Sequence, residues 1–444
     1  MAADRATSTR PGTRKEQEAG LQRRLGPFTV FATALGTMLG AGIFVLPGPA
    51  TETAGAGAAV SFLLAGMIAA IAGLSVSELA TAMPRAGGPY VFVRRSLGPL
   101  AGSVIGLGSW LAMIFKGGFA LVGFALYLRT VVDTGPIPVA ALLGLAFLAA
   151  NITGTKLSGL LERWMVGGLL LLLSIFLVRG APILDPTVFR EMGAFGASGI
   201  LAGTGLVFVS YLGIVQASSI AGEVRFPGRN LPSGILGAVG AVTVLYIGTI
   251  LVITGVLPIE RVVAAETPLA DAAAVLFGGI GGWLVVIAGL LATASTANAV
   301  ILSSTRYPFA MARDGLMPHA FNRIDRHFGT PTRAILVTGL IMVGMALWFD
   351  VERLAKLGGA FGIVVFSTVN VALIVLRRRA PGWYRPTFRA PLAPWLPLLG
   401  ILGALALLTQ VGLEALLSAV GLVLFAIGWY FWRLRREGGT LPNR

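Results

Sequence analysis

The chain contains no cysteine and only two histidines, His319 and His327, in 444 residues. The first absence excludes disulfides, including a covalent bridge to a partner subunit, together with all thiol chemistry. The second leaves too few nitrogen ligands for a zinc or iron centre, so no resident metal or other cofactor is expected beyond a coupling Na+ or H+. Charge is scarce as well: 12% of residues are charged and 56% are hydrophobic, where a soluble domain carries about 25% charged residues. With a mean hydropathy of +0.84, the chain reads as an integral membrane protein. A membrane-embedded enzyme would need a nucleophile with its base, or a metal set, at membrane depth, and no His, Cys or paired carboxylate falls there. The first 25 residues are polar and basic and lack the apolar core of a cleavable signal. Residues 1–25 and 436–444 are expected to be cytoplasmic tails, the first without fixed structure, and 26–435 to form a single domain. The longest polar stretches, 306–331 and 377–391, are too short for a soluble appendage.

What the chain does have is a series of apolar runs near the 20 residues that a helix needs to cross about 30 Å of hydrocarbon. Twelve are expected, at 28–51, 57–83, 98–128, 136–152, 159–179, 197–219, 232–257, 278–305, 332–350, 354–376, 393–412 and 415–432. The fold class is therefore all-α and multi-pass, with the lipid bilayer as its surroundings. The net charge of +15 does not call for nucleic acid. Most Lys and Arg fall in loops on the side of the N-terminus, which is the positive-inside bias. Both termini, with Arg23, Arg24, Arg433, Arg435 and Arg436, are thereby expected in the cytoplasm of a protein of the cell membrane. No seam in the sequence separates a monomer from a homodimer.

The first span contains GTMLGAGIF at 36–44, three glycines and further small residues inside an apolar helix. Helix interiors rarely carry so many glycines unless the backbone itself is needed. At membrane depth, unpaired amides and carbonyls persist only when buried in protein or lining a cavity, so a break here points to a solute site. A second interruption is expected in the sixth span, at FVSYLG, 208–213. Broken helices five spans apart are the pattern of an inverted repeat with its site near the bilayer midplane, spans 1–5 (28–179) against 6–10 (197–376), with the last two (393–432) outside. The competing reading of the first segment is that Gly36 and Gly40 form a GxxxG packing face and nothing more.

Five segments in this order, GTMLGAGIF (36–44), SELATAMPRAGGPYVFVRRSLG (77–98), AGEVRFPGRNLP (221–232), YPFAMARDGLMP (307–318) and Thr330-Pro331, resemble the amino acid/polyamine/organocation permeases over residues 26 to about 435. The resemblance implies the five-plus-five inverted fold shared with sodium-coupled leucine transporters. It also implies a secondary active transporter of amino acids working by alternating access.

Several residues then carry expectations. Amides freed around Thr37, Met38, Leu39, Gly40, Ala41, Gly42 and Ile43 would receive an anionic group such as a substrate carboxylate. Carbonyls near Phe208, Val209 and Ser210, with Gly213 at the end of the break, would receive an ammonium. Phe208 and Tyr211 are candidates for an aromatic lid, against the alternative of ordinary core packing. Many proton-linked members of the family carry a lysine in the fifth helix; alignment from Gly154-Thr155-Lys156 puts Leu169 there, which is a departure from that pattern. Ala292-Thr293-Ala294-Ser295-Thr296 is similar to the sodium-binding segment of the sodium-coupled relatives. Ser295, Thr296, the Ala292 carbonyl and the carbonyls of Gly36 and Leu39 would then surround Na+, unless the hydroxyls bond back to their own helix. Sodium coupling is the preferred expectation, with proton coupling or amino acid/amine exchange as alternatives, and a transport-dead sensor or a channel as remote ones.

Lys116 is the lone cation expected inside a span, where a charge marks a functional site or a pairing. Three readings stay open: it meets a substrate carboxylate, carries a coupling proton, or pairs with a carbonyl or carboxylate. Glu78, near the cytoplasmic end of the second span, lies at the wrong depth to be its partner. Glu223, Arg225, Arg229, Arg306, Arg313 and Asp314 are placed for cytoplasmic pairs that hold an inward gate, or for a solvated loop. Because no acid falls in the spans expected to line the site, a neutral or broadly accepted amino acid is expected, with a cationic one held through backbone carbonyls alone.

Overall fold

The computed structural model describes residues 25–436 apart from 86, 134, 155–158, 185–191, 193 and 194, so both expected tails lie outside the described residues save for their last and first positions. The chain runs through α1 (Pro27–Val45), α2 (Pro47–Ala54), α3 (Ala58–Ala82), α4 (Pro89–Leu97), α5 (Pro99–Arg129), α6 (Pro136–Ile152) and α7 (Gly159–Gly180). The second half opens with α8 (Gly196–Val207), a 3-10 segment (Phe208–Leu212) and α9 (Gly213–Ser219), followed by α10 (Pro227–Val256). The short α11 (Ile259–Ala264) and α12 (Pro268–Phe277) lead to α13 (Gly279–Ser304) and α14 (Arg306–Arg313). The chain ends in α15 (Thr332–Trp348), α16 (Val351–Arg379), α17 (Trp395–Leu408) and α18 (Leu413–Arg436).

Prolines open many of these helices, where the missing amide and fixed φ cost nothing, as at Pro27, Pro47, Pro89, Pro99 and Pro227. Gly98, at φ +98°, turns the chain between α4 and α5, a backbone conformation that a side chain resists. Each of the twelve expected spans has a helical counterpart. Among the described residues nine helical stretches are long and apolar enough to cross a membrane, and α6, α15 and α17 are shorter apolar helices at three other expected positions. Large apolar side chains on the outside, Leu142, Val178, Ile280 and Trp348 among them, form the surface that a bilayer would cover.

The α1 segment packs against the 3-10 segment, α9, α10 and α13, and α5 lies against α13 and α16 in the centre of the bundle. The interruption expected at 208–213 is present as the 3-10 segment. The one expected at 36–44 is not. Here α1 runs unbroken to Val45, and the helix stops at Leu46, ahead of Pro47, which can donate no amide. The glycines of 36–44 serve close packing instead: a side chain at Gly36 would meet Val166, and one at Gly40 would meet Thr296. In this form the amides of Thr37 to Ile43 belong to the helix and are not freed donors.

At the cytoplasmic end expected from the sequence, Leu25 forms a parallel β-bridge with Val224. The Leu25 amide donates to the Glu223 carbonyl at 3.0 Å, and the Arg225 amide to the Leu25 carbonyl at 2.9 Å.

Candidate functional site

The two halves approach closely between α1 and the sixth-helix interruption. A Cβ at Gly42 would lie 2.4 Å from Ser210 Oγ and 2.5 Å from the Tyr246 hydroxyl, and one at Gly213 would lie 2.6 Å from the Ala34 carbonyl. Glycine at both places lets the two backbones meet. The Tyr246 hydroxyl donates to the Met38 carbonyl, and the Thr37 hydroxyl donates to the Thr33 carbonyl at 2.7 Å. Residues Thr37 to Ile43 and Phe208 to Gly213 are all buried. Ser210 Oγ has no hydrogen-bond partner among the described residues, although most buried polar atoms have one.

Phe208 and Tyr211 both point into the bundle. Phe208 packs edge-on against Phe366, with ring centroids 5.5 Å apart. Tyr211 donates its hydroxyl to the Phe62 carbonyl at 3.0 Å and stands edge-on to Tyr246.

Lys116 is 2% exposed, and its Nζ donates to the Ser210 carbonyl at 3.2 Å. Of the three readings, the pairing is with a carbonyl, and that carbonyl belongs to the interrupted helix. The acceptor that the sequence assigned to a substrate ammonium is thus held by a side chain of the protein. Glu78 is indeed remote from Lys116. Its carboxylate takes Arg377 through both oxygens at 2.9 and 2.5 Å, the Tyr384 hydroxyl at 2.6 Å and the Ala390 amide at 2.6 Å. Burial first, then the bond to Glu78, raises the Tyr384 phenol well above its ordinary range, so it stays protonated and donates. Sequence reasoning missed this knot. The available signal was an acid at the end of an apolar span together with the run Arg377-Arg378-Arg379 at the end of another, since a buried carboxylate needs a partner.

Gly36, Leu169, Ala292, Ser295 and Thr296 share the wall of a cavity of about 20 Å³, enough for a single water-sized occupant. Four of the five residues expected around a cation meet here; Leu39 does not line the cavity. Thr296 Oγ1 is buried without a hydrogen-bond partner among the described residues, whereas Thr293 bonds back to the Gly289 carbonyl at 2.6 Å. The back-bonding alternative therefore describes Thr293 and not Thr296. Leu169 closes the cavity from α7 with an apolar side chain.

At the end of the bundle that carries Leu25, two ion-pair groups form. Arg306 lies 3.7 Å from Glu223 and donates to the Ser219 carbonyl at 3.2 Å. Asp314 takes Arg94 at 2.9 Å and the Tyr90 hydroxyl at 2.7 Å, with Arg313 at 3.5 Å. Burial and the Asp314 carboxylate raise the Tyr90 phenol and keep its proton in place. Arg225 takes part through its backbone, its guanidinium resting over the Phe226 ring, and neither it nor Arg229 makes an ion pair among the described residues.

A bundle of membrane-length helices, with one helix interrupted against a glycine face and unpartnered hydroxyls buried beside it, defines a multi-pass membrane protein built around an internal polar site. The family model described as amino acid permease matches residues 25–430, and the chain belongs to that family. It is 28% identical over 406 residues to the methylthioribose transporter of Bacillus subtilis, covering 87% of each chain. It is also 28% identical over 444 residues to the branched-chain amino acid permease BcaP of the same organism, covering 95% of each. The vacuolar cationic amino acid transporter 4 of Arabidopsis thaliana is 30% identical over 391 residues, 81% of this chain and 64% of the plant protein.

Proposed function

We propose that the protein is a secondary active transporter of amino acids across the cytoplasmic membrane, working by alternating access with both termini in the cytoplasm. The observation that carries this reading is the meeting of the sixth-helix interruption with the glycine face of α1, where Ser210 Oγ is buried and unpartnered. The described form has this seat closed. Each glycine in 36–44 weakens α1 by about 1 kcal/mol relative to alanine, so unwinding there on opening would free the amides of Met38 to Gly42 for a substrate carboxylate.

Sodium is the coupling ion in this proposal. A small hard cation takes oxygen ligands, and the unpartnered Thr296 hydroxyl, the Ser295 hydroxyl and the carbonyls of Ala292 and Gly36 are the oxygen donors that would hold it. The apolar Leu169 leaves no titratable group on the α7 side of this cavity, which favours sodium over a proton at that place. Counterflow tests both parts: vesicles preloaded with each amino acid are assayed for uptake of the same labelled solute, with and without sodium. Accumulation that needs sodium, and a Ser295→Ala/Thr296→Ala protein that loses the sodium dependence, are expected. Uptake indifferent to sodium sinks the cation site and moves proton coupling or exchange forward, and no uptake of any amino acid sinks the substrate class.

Glu223 and Arg306 serve in the same proposal as an inward gate. Each is about one-third exposed, and such a pair contributes on the order of 0–1 kcal/mol to stability. Glu223→Gln is therefore expected to leave thermal unfolding nearly unchanged while altering the turnover number. Unaltered turnover would assign the pair to a solvated loop.

A further inference from the structure

Lys116 is the feature of the core that the transport reading leaves unused. It lies on α5 at 2% exposure, no carboxylate pairs with it among the described residues, and its bond is to the carbonyl of Ser210. Ser210 is also the residue whose side chain abuts Gly42 of α1. Lys116 Nζ therefore stands at the acceptor end of the interruption, on the residue whose side chain faces the proposed seat. We propose that Lys116 is a charge filter, which makes this transporter select solutes whose side chain is neutral or anionic and reject cationic amino acids and polyamines. This inference rests on the proposed seat between α1 and the sixth-helix interruption.

The physical basis is twofold. A carbonyl already bonded to an ammonium offers its remaining lone pair at reduced strength, so backbone acceptors alone no longer hold a substrate's side-chain cation. A second positive charge within several ångströms is also repelled in a poorly screened interior, by enough to lower its binding roughly tenfold to a hundredfold at the effective dielectric of protein sites. A zwitterion escapes most of this, because its carboxylate is attracted as its ammonium is repelled. Three of the buried or half-buried acids are engaged elsewhere: Glu78 with Arg377, Glu223 with Arg306 and Asp314 with Arg94. Nothing in the ion-pair pattern cancels the Lys116 charge.

The test uses the full chain purified into proteoliposomes, with labelled leucine, serine, glutamate, arginine and putrescine in counterflow, and the ratio of arginine to leucine uptake as the readout. The wild-type ratio is expected to be about one-tenth or lower. Lys116→Gln, which removes the charge and keeps a polar donor, is expected to raise that ratio at least tenfold or so, and Lys116→Arg to keep it at the wild-type value. Competition of unlabelled arginine against leucine in the wild type provides a second measurement should the glutamine protein fail to fold; weak competition supports the filter. Wild-type uptake of arginine equal to leucine, strong arginine competition, or an unchanged ratio in Lys116→Gln overturns it while leaving amino acid transport standing. Absence of exchange for every amino acid overturns the transport reading and the filter with it.

Discussion

A Gly213→Ala protein is expected to lose uptake to background and to melt at a lower temperature than the wild type. The new Cβ would stand 2.6 Å from the Ala34 carbonyl oxygen and 3.2 Å from the Met38 amide nitrogen, with Met38 Cγ at 2.7 Å. Met38 can move its side chain, but the backbone of α1 cannot yield without separating from α9. Overpacking of this kind costs about 1–3 kcal/mol, and here the displaced surface is the proposed substrate seat. The sign is informative, because alanine in place of a helical glycine ordinarily stabilises by about 0.5–1 kcal/mol. Gly240, inside α10 with nothing within 4 Å of its would-be Cβ, supplies the contrast: Gly240→Ala should be neutral or slightly stabilising and transport normally. Melting curves and leucine uptake on the two proteins check the pair. Equal behaviour of both would mean that α1 and α9 do not meet at Gly213.

Glu78→Ala is expected to be strongly destabilising, by about 3 kcal/mol. Glu78 is fully buried, and its two oxygens serve Arg377, the Tyr384 hydroxyl and the Ala390 amide. Removing the carboxylate strands three donors at once, and a buried donor without a partner costs about 1–3 kcal/mol. Arg377 is 27% exposed and regains some hydration, which keeps the total near the lower end of what loss of a buried partner costs. Denaturation in detergent by a fluorescent melting assay reads the loss directly. A melting temperature within a degree or two of wild type would show that the segment after α16 is not held by Glu78.

Much of the architecture was legible because a bilayer leaves so few options: an apolar run of the right length with no charge becomes a helix whatever its neighbours. The interruption at 208–213 was legible on the same terms. The first helix was not, since Gly36, Gly40 and Gly42 produce one sequence pattern whether they unwind a helix or pack it against Val166, Thr296 and Ser210. Which of these occurs is decided by the partners, and those lie far along the chain. Ser295 and Thr296, singled out from their segment, do share a cavity with Gly36 and Ala292, whereas Leu39 does not line it. The Glu78 knot escaped for a related reason: Glu78 and Ala390 are 312 positions apart, and no local periodicity links them. Lys116 announced itself by its position in an apolar span, yet its acceptor, Ser210, required the fold.

The bridge between Leu25 and Val224 ties the leading end of α1 to the short 3-10 turn that ends at Glu223. In the proposed gate, a displacement of α1 that carried Leu25 with it would move Glu223 relative to Arg306, and a ligand that fixed α1 would hold that pair. On that proposal the first helix would act as a lever whose short arm is the ion pair, so that events at the buried seat and at the Leu25 end of the bundle would share one mechanical linkage.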